Sequence, residues 1–268
     1  MLHLTRAARA VVLPLVALLS LSGCTPDDQG TDVDPAQVDS VKAPKVGACR
    51  RLTPADVALP SNANRTVGCS ADHTAETYAV GSLPAEFDDA SYDDKDLGVY
   101  AYQTCSKEFQ KFLGADESLV MRTVVSWVWF RPSQQAWDDG ARWYRCDLVG
   151  GGDQSKKYVD LPVTAKGLLS ERPDVWMVCV NGPTVEGRKL PCSEPHTWRA
   201  VTTIKLGEPG DPYPGDLMVE MRTSNFCSDS VAAWLSYPVD YDFGYTWFRE
   251  GEWSAGNRRS ICWARTDQ

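Results

Sequence analysis

Apolar positions recur along the chain in two matching stripes. Leu97, Ala101, Cys105, Phe109, Phe112 and Leu113 keep the three- and four-residue spacing of one helix face. Val219, Thr223, Cys227, Val231, Trp234 and Leu235 repeat that spacing. The pattern predicts two amphipathic helices, each with a cysteine on its buried side. Gly114 stands where it can end the first helix in a left-handed conformation. Downstream of each stripe the sequence takes on strand character, at Trp129-Phe130-Arg131 and at Trp247-Phe248-Arg249. Over residues 142–148, Tyr144, Cys146 and Leu148 alternate with Trp143, Arg145 and Asp147. If the first set faces the core, Trp143 is displayed among charged neighbours.

The resemblance between the two stripes extends to their surroundings, so the chain is read as a tandem repeat. Cys69-Ser70-Ala71-Asp72-His73 precedes the first stripe and Cys192-Ser193-Glu194-Pro195-His196 the second. After each stripe comes W-x-x-G-x-R-x-x-x-C: Trp137, Gly140, Arg142 and Cys146, then Trp253, Gly256, Arg258 and Cys262. The glycine between two aromatic runs suits a hairpin turn that needs positive φ. The expected architecture is α+β: two tandem, homologous, disulfide-bonded domains at 46–150 and 170–268, each an antiparallel sheet packed with one main helix. Residues 151–169, opening on Gly151-Gly152 just after Gly150, read as the linker.

The N-terminus has a different logic. Arg6 and Arg9 precede a mainly apolar stretch over residues 10–21, and Leu21-Ser22-Gly23-Cys24 follows. A basic start, a short apolar region and small residues at a cut site make residues 1–23 a secretory signal peptide. The last four residues resemble a bacterial lipobox, which implies lipidation of Cys24 and an extracytoplasmic chain anchored on the outer face of the cell membrane. Residues 24–45 are polar, rich in aspartate and punctuated by Pro26, Pro35 and Pro44, and so read as a disordered tether.

Composition narrows the function classes. A net charge of −9 argues against nucleic acid as a partner, since phosphate recognition needs a basic surface. Nine cysteines suit an oxidising compartment. One is Cys24; the others are Cys49, Cys69, Cys105, Cys146, Cys179, Cys192, Cys227 and Cys262. Pairing repeated within each copy leaves three patterns, of which first-to-second and third-to-fourth is expected. The alternative, zinc held by Cys-x-x-x-His, has no C-x-x-C and too few histidines behind it. No metal and no cofactor is expected.

The ordered motifs resemble the actinobacterial septum-formation-related domain family. Its pattern is a cysteine after glycine, Cys-x-x-Pro-His before a Glu-Val-type strand, Tyr-Pro-Gly, a helix with cysteine, and the Trp-x-x-Gly-x-Arg block. The second copy carries Pro195, His196 and Tyr213-Pro214-Gly215; the first carries Gly47, Cys49, His73 and Glu76. Asp72 replaces the proline in the first copy, and Arg199 stands at the glutamate position in the second. The resemblance implies a link to septum formation or envelope assembly.

Candidate functional groups are few. His73 and His196 each lie three residues after a serine, Ser70 and Ser193, and are read as turn caps, partner contacts or, in the alternative, catalytic bases. Trp137, Arg142, Trp143, Trp253 and Arg258 have the aromatic-plus-arginine composition of a binding surface. The leading expectation is a non-enzymatic module that binds an envelope protein, a division protein or cell-wall glycan. The alternative is a hydrolase or transferase acting on wall precursors through His73 or His196.

Overall fold

The computed structural model describes residues 33–152 and 154–266. The signal peptide and Cys24 lie outside the described residues. The first repeat runs β1 (Cys49–Arg50), α1 (Pro54–Val57), β2 (Thr66–Val67), β3 (Ala75–Ser82), α2 (Lys95–Leu113), α3 (Glu117–Val120), β4 (Ser126–Phe130), α4 (Gln134–Asp138) and β5 (Trp143–Val149). The second runs β6 (Val178–Asn181), β7 (Arg188–Pro191), β8 (Trp198–Lys205), α5 (Asp216–Trp234), β9 (Phe243–Thr246), α6 (Glu250–Ala255) and β10 (Arg259–Arg265). Each forms an antiparallel five-stranded sheet, ordered β2-β1-β3-β5-β4 and β7-β6-β8-β10-β9. The strand orders match position for position, so the chain is two copies of one α+β fold.

The stripes do what their spacing demands. Leu97, Ala101, Cys105, Phe109 and Leu113 are buried along α2, and Val219, Thr223, Cys227 and Val231 along α5. Asp94 caps α2 by accepting from the Asp96 amide, and Gly114 ends it at φ +71°. One member of the second stripe departs from expectation: Trp234 is 48% exposed. Disulfides fasten each long helix to the last strand of its sheet, Cys105–Cys146 and Cys227–Cys262. Cys49–Cys69 and Cys179–Cys192 tie the first strand of each repeat to the loop before the third. Closing loops of this size contributes about 3–4 kcal/mol each through the unfolded state.

Three expectations are corrected. The glycine after Trp137 does not make a tight hairpin. A short helix, α4 or α6, lies between the aromatic strand and the last one, and Gly140 (φ +94°) and Gly256 (φ +115°) end it. Residues 33–45 are not a free tether over their described length. Asp34 caps a 3-10 turn at Pro35–Gln37, Val38 is buried, and Val33 bridges Asn64. Few apolar groups suffice here, because the backbone is held by the lobe's own donors and acceptors: the Ser133 amide donates to the Val38 carbonyl and the Trp143 indole to that of Ser40. Residues 151–169 are likewise no loose linker, since Tyr158, Leu161, Ala165 and Leu169 are buried against the first lobe.

The two lobes share one core. It runs from Tyr78, Phe109 and Leu113 through Leu161, Ala165 and Leu169 to Met177, Cys179 and Leu190. The chain after α3 crosses to the second lobe, where the Val178 amide donates to the Arg122 carbonyl and the Val124 amide to that of Trp176. Arg259 pairs with Glu117 at 2.6 Å across the same boundary.

Candidate functional site

The repeated histidines come first, because equivalent residues in both lobes do the same thing. His73 Nδ1 lies 2.8 Å from the Ala71 carbonyl, and His196 Nδ1 2.8 Å from that of Glu194. A carbonyl only accepts, so Nδ1 carries a proton in each ring. Both Nε2 atoms are buried, and neither has a hydrogen-bond partner among the described residues. Neither ring bonds Ser70 or Ser193; each ring instead closes the turn beside its disulfide. All eight described cysteines are in disulfides, and no group of three His, Cys, Asp or Glu suited to a metal occurs among the described residues.

The Trp–Arg pairs form internal clamps. Arg142 stacks 4.1 Å above the Trp137 ring, and Arg258 3.8 Å above that of Trp253. Each arginine donates Nη1 to the carbonyl of its own tryptophan, and reaches back to the loop before the long helix, at Asp88 or Glu208. The indole N–H groups donate to the Ala90 and Asp211 carbonyls of those same loops. Trp137 and Trp253 are both buried. Burial also lowers the Arg258 pKa. The motif therefore pins the short helix to the entry of the long one and presents no aromatic face to a ligand.

Trp143 is also corrected. It is on the face away from α2, as its alternation requires, but is only 2% exposed because residues 33–45 lie over it. Beneath the same cover is a polar chain that no motif announced. Arg50 Nη1 donates to Thr77 Oγ1 at 2.8 Å, and Thr77 Oγ1 to Asp147 Oδ1 at 2.7 Å. Arg145 pairs with Asp147 at 3.0 Å and lies over the Phe130 ring. Burial, and then the neighbouring Arg145 charge, brings the Arg50 pKa down to about 10. Burial lowers that of Arg145 too, against the pull of Asp147.

Cavities among the described residues include two of note. One, of about 490 Å³, lies under the N-terminal segment between Gln37, Lys42, Lys45 and Arg50. The other, of about 280 Å³, lies between the lobes and gathers Arg122, Arg172 and Arg199 beside Trp234. Sequence reasoning missed this second cluster, since its arginines come from segments 27 or more residues apart. The exchange of Glu76 for Arg199 between the copies was the one signal of it in the chain.

A family model described as "Septum formation" matches residues 19–131 and again residues 125–262. No curated protein and no solved structure matches the chain.

Proposed function

This chain belongs to the septum-formation family and carries its domain twice, and from that premise we propose that it is a lipid-anchored, extracytoplasmic binding module that serves septum formation or envelope assembly without catalysis. The observation that carries the binding reading is the fate of the duplicated motifs. His73, His196, Trp137, Arg142, Trp253 and Arg258 all bond to the chain's own backbone, the histidines closing the turns beside their disulfides and the Trp–Arg pairs holding the loops before each long helix. Residues so engaged make a rigid scaffold, which suits presentation of a surface better than proton transfer. Membrane attachment follows from the lipobox at Cys24, and the four disulfides suit an oxidising compartment. The partner is an envelope or division protein, or wall glycan.

The test is the position of a tagged chain in dividing cells, compared with a C24A version. Enrichment at the division site that requires Cys24 is the expected result. Uniform membrane distribution overturns the septal role.

A further inference from the structure

In the first lobe the inter-lobe chain acts as a strap. The Leu161 amide donates to the His73 carbonyl; Thr164 Oγ1 and the Ala165 amide donate to the two Glu76 carboxylate oxygens at 2.8 and 2.7 Å. The Gly167 and Leu169 amides then donate to the Phe112 and Leu113 carbonyls at the end of α2. The segment thus spans from the start of β3 to the end of the long helix, without helix or strand up to Ala165 and turning through Gly167 (φ +73°), and buries Ala165 and Leu169. Glu76 is the anion that anchors it.

The same span exists in the second lobe with its chemistry reversed. By strand register and helix position, Arg199 stands where Glu76 does, and Trp234 where Phe112 does. Between them is the 280 Å³ cavity, lined by Arg122, Arg172, Arg199, Met177 and Trp234 among others. Arg122 uses Nε on the Ser118 carbonyl and Nη1 on that of Val201, which fixes its guanidinium in place. Arg172 makes no side-chain hydrogen bond or ion pair among the described residues, and its backbone is in the left-handed region at φ +50°. A non-glycine residue held there marks a position that the surrounding fold imposes. Arg199 already takes a carboxylate, that of the half-exposed Asp174 at 2.5 Å. Beyond Trp234 the chain displays Tyr237 and Val239, 76% and 98% exposed, on a turn with left-handed Ser236 and Tyr237.

We propose that this groove binds an extended acidic peptide segment of a partner protein, laid as the strap is laid on the first lobe. Its carboxylate meets Arg172 and Arg122, and an aliphatic side chain about four residues on packs against Trp234. Charge complementarity selects the class of occupant: three guanidiniums converge on one cavity of a chain whose net charge is −9. The assignment rests on the reading of the chain as a binding module and names the surface that does the binding.

The test uses the full chain in detergent and a fluorescent peptide of residues 159–170 carrying T164D, which supplies the carboxylate that Arg172 and Arg122 are to meet. Saturable binding is expected, at least about tenfold tighter than for the unaltered peptide. R172E and W234A each weaken it by about tenfold or more while leaving thermal unfolding unchanged, since both side chains are exposed. Equal binding of the two peptides, or full binding by R172E, overturns the proposal. So does displacement by inorganic phosphate as effective as by unlabelled peptide, which would make the cavity a simple anion site. Self-association of the chain that R172E abolishes would assign the groove to a second copy and overturn it too. Uniform distribution in cells with peptide binding intact removes the septal role alone; septal enrichment without peptide binding removes this assignment alone.

Discussion

The sheet faces turned away from the long helices make the most instructive comparison between the lobes. In the first lobe that face carries Arg50, Thr77, Arg145 and Asp147. At the register-equivalent places the second lobe has Val180, Ala200, Ile261 and Trp263. Both faces are closed, but by different material. The first is covered by the N-terminal segment and the loop around Asn62 and Asn64, whose carbonyl and amide oxygens can accept from guanidiniums. The second is covered by apolar side chains, with Val124 of the first lobe packed among Val178, Val180, Trp198 and Trp263. One fold therefore accepts either a charged or an apolar layer, provided the cover matches. A buried ion pair is tolerated where every guanidinium finds oxygens, and it gives little net stability over well-packed hydrophobes.

This difference can be tested by crossing the two chemistries. W263D places an unpaired carboxylate in an apolar layer and removes a fully buried indole. We expect a loss of more than about 4 kcal/mol in chemical denaturation, amounting to failure of the second lobe to fold. D147A leaves Arg50 and Arg145 buried without their anion, and its expected loss is about 3–5 kcal/mol. Replacing the three charged residues together in R50M/R145M/D147L, with Thr77 kept, should instead leave stability within about 1 kcal/mol of the parent or raise it. If the triple variant is as unstable as D147A, the charged layer is a source of stability and the comparison fails.

The strap supplies a smaller effect. E76A removes the acceptor of the Thr164 hydroxyl and the Ala165 amide, at a cost of about 1–3 kcal/mol. The opening is local, so hydrogen exchange should quicken at Leu161 and Leu169 and stay unchanged along α5. Quickening throughout both lobes would mean that the strap is part of one cooperative unit.

The smallest effect is alkaline. Burial, ahead of any neighbouring charge, raises the pKa values of Tyr102 and Tyr144 to about 12, and that of Tyr78 well above its ordinary 10.0. Unfolded tyrosine loses its proton near 10, so between about pH 10 and 12 the unfolded state binds fewer protons than the native one. The contribution is fully present below pH 10 and is lost as pH rises toward 12. Absorbance at 295 nm should show these three phenols still protonated above pH 10. A single step near pH 10 in the folded protein would contradict their burial.

Much of the fold was legible because period and repetition are local properties. The apolar stripes located α2 and α5, and the duplicated cysteines carried the pairing pattern that the four disulfides take. The alternation in β5 correctly separated Tyr144, Cys146 and Leu148 from Trp143, Arg145 and Asp147. It could not say what lay over the second set. Trp143 reads as a displayed aromatic until residues 33–45, with Ser40 103 positions earlier in the chain, are folded onto it. The Trp–Arg motifs carry the same lesson, since composition cannot tell a guanidinium that stacks inward from one offered to a partner.

The repeat and the helix faces were legible in the chain alone, because both depend on spacing; three cysteine pairing patterns stayed open, of which the structure takes the expected one, and the family rested on the resemblance of its ordered motifs. Only the tertiary structure decided which faces are covered, where the strap runs and which arginines meet beside Trp234. Those are contacts between segments far apart in sequence, selected by burial and hydrogen-bond satisfaction in three dimensions, and no local pattern encodes them.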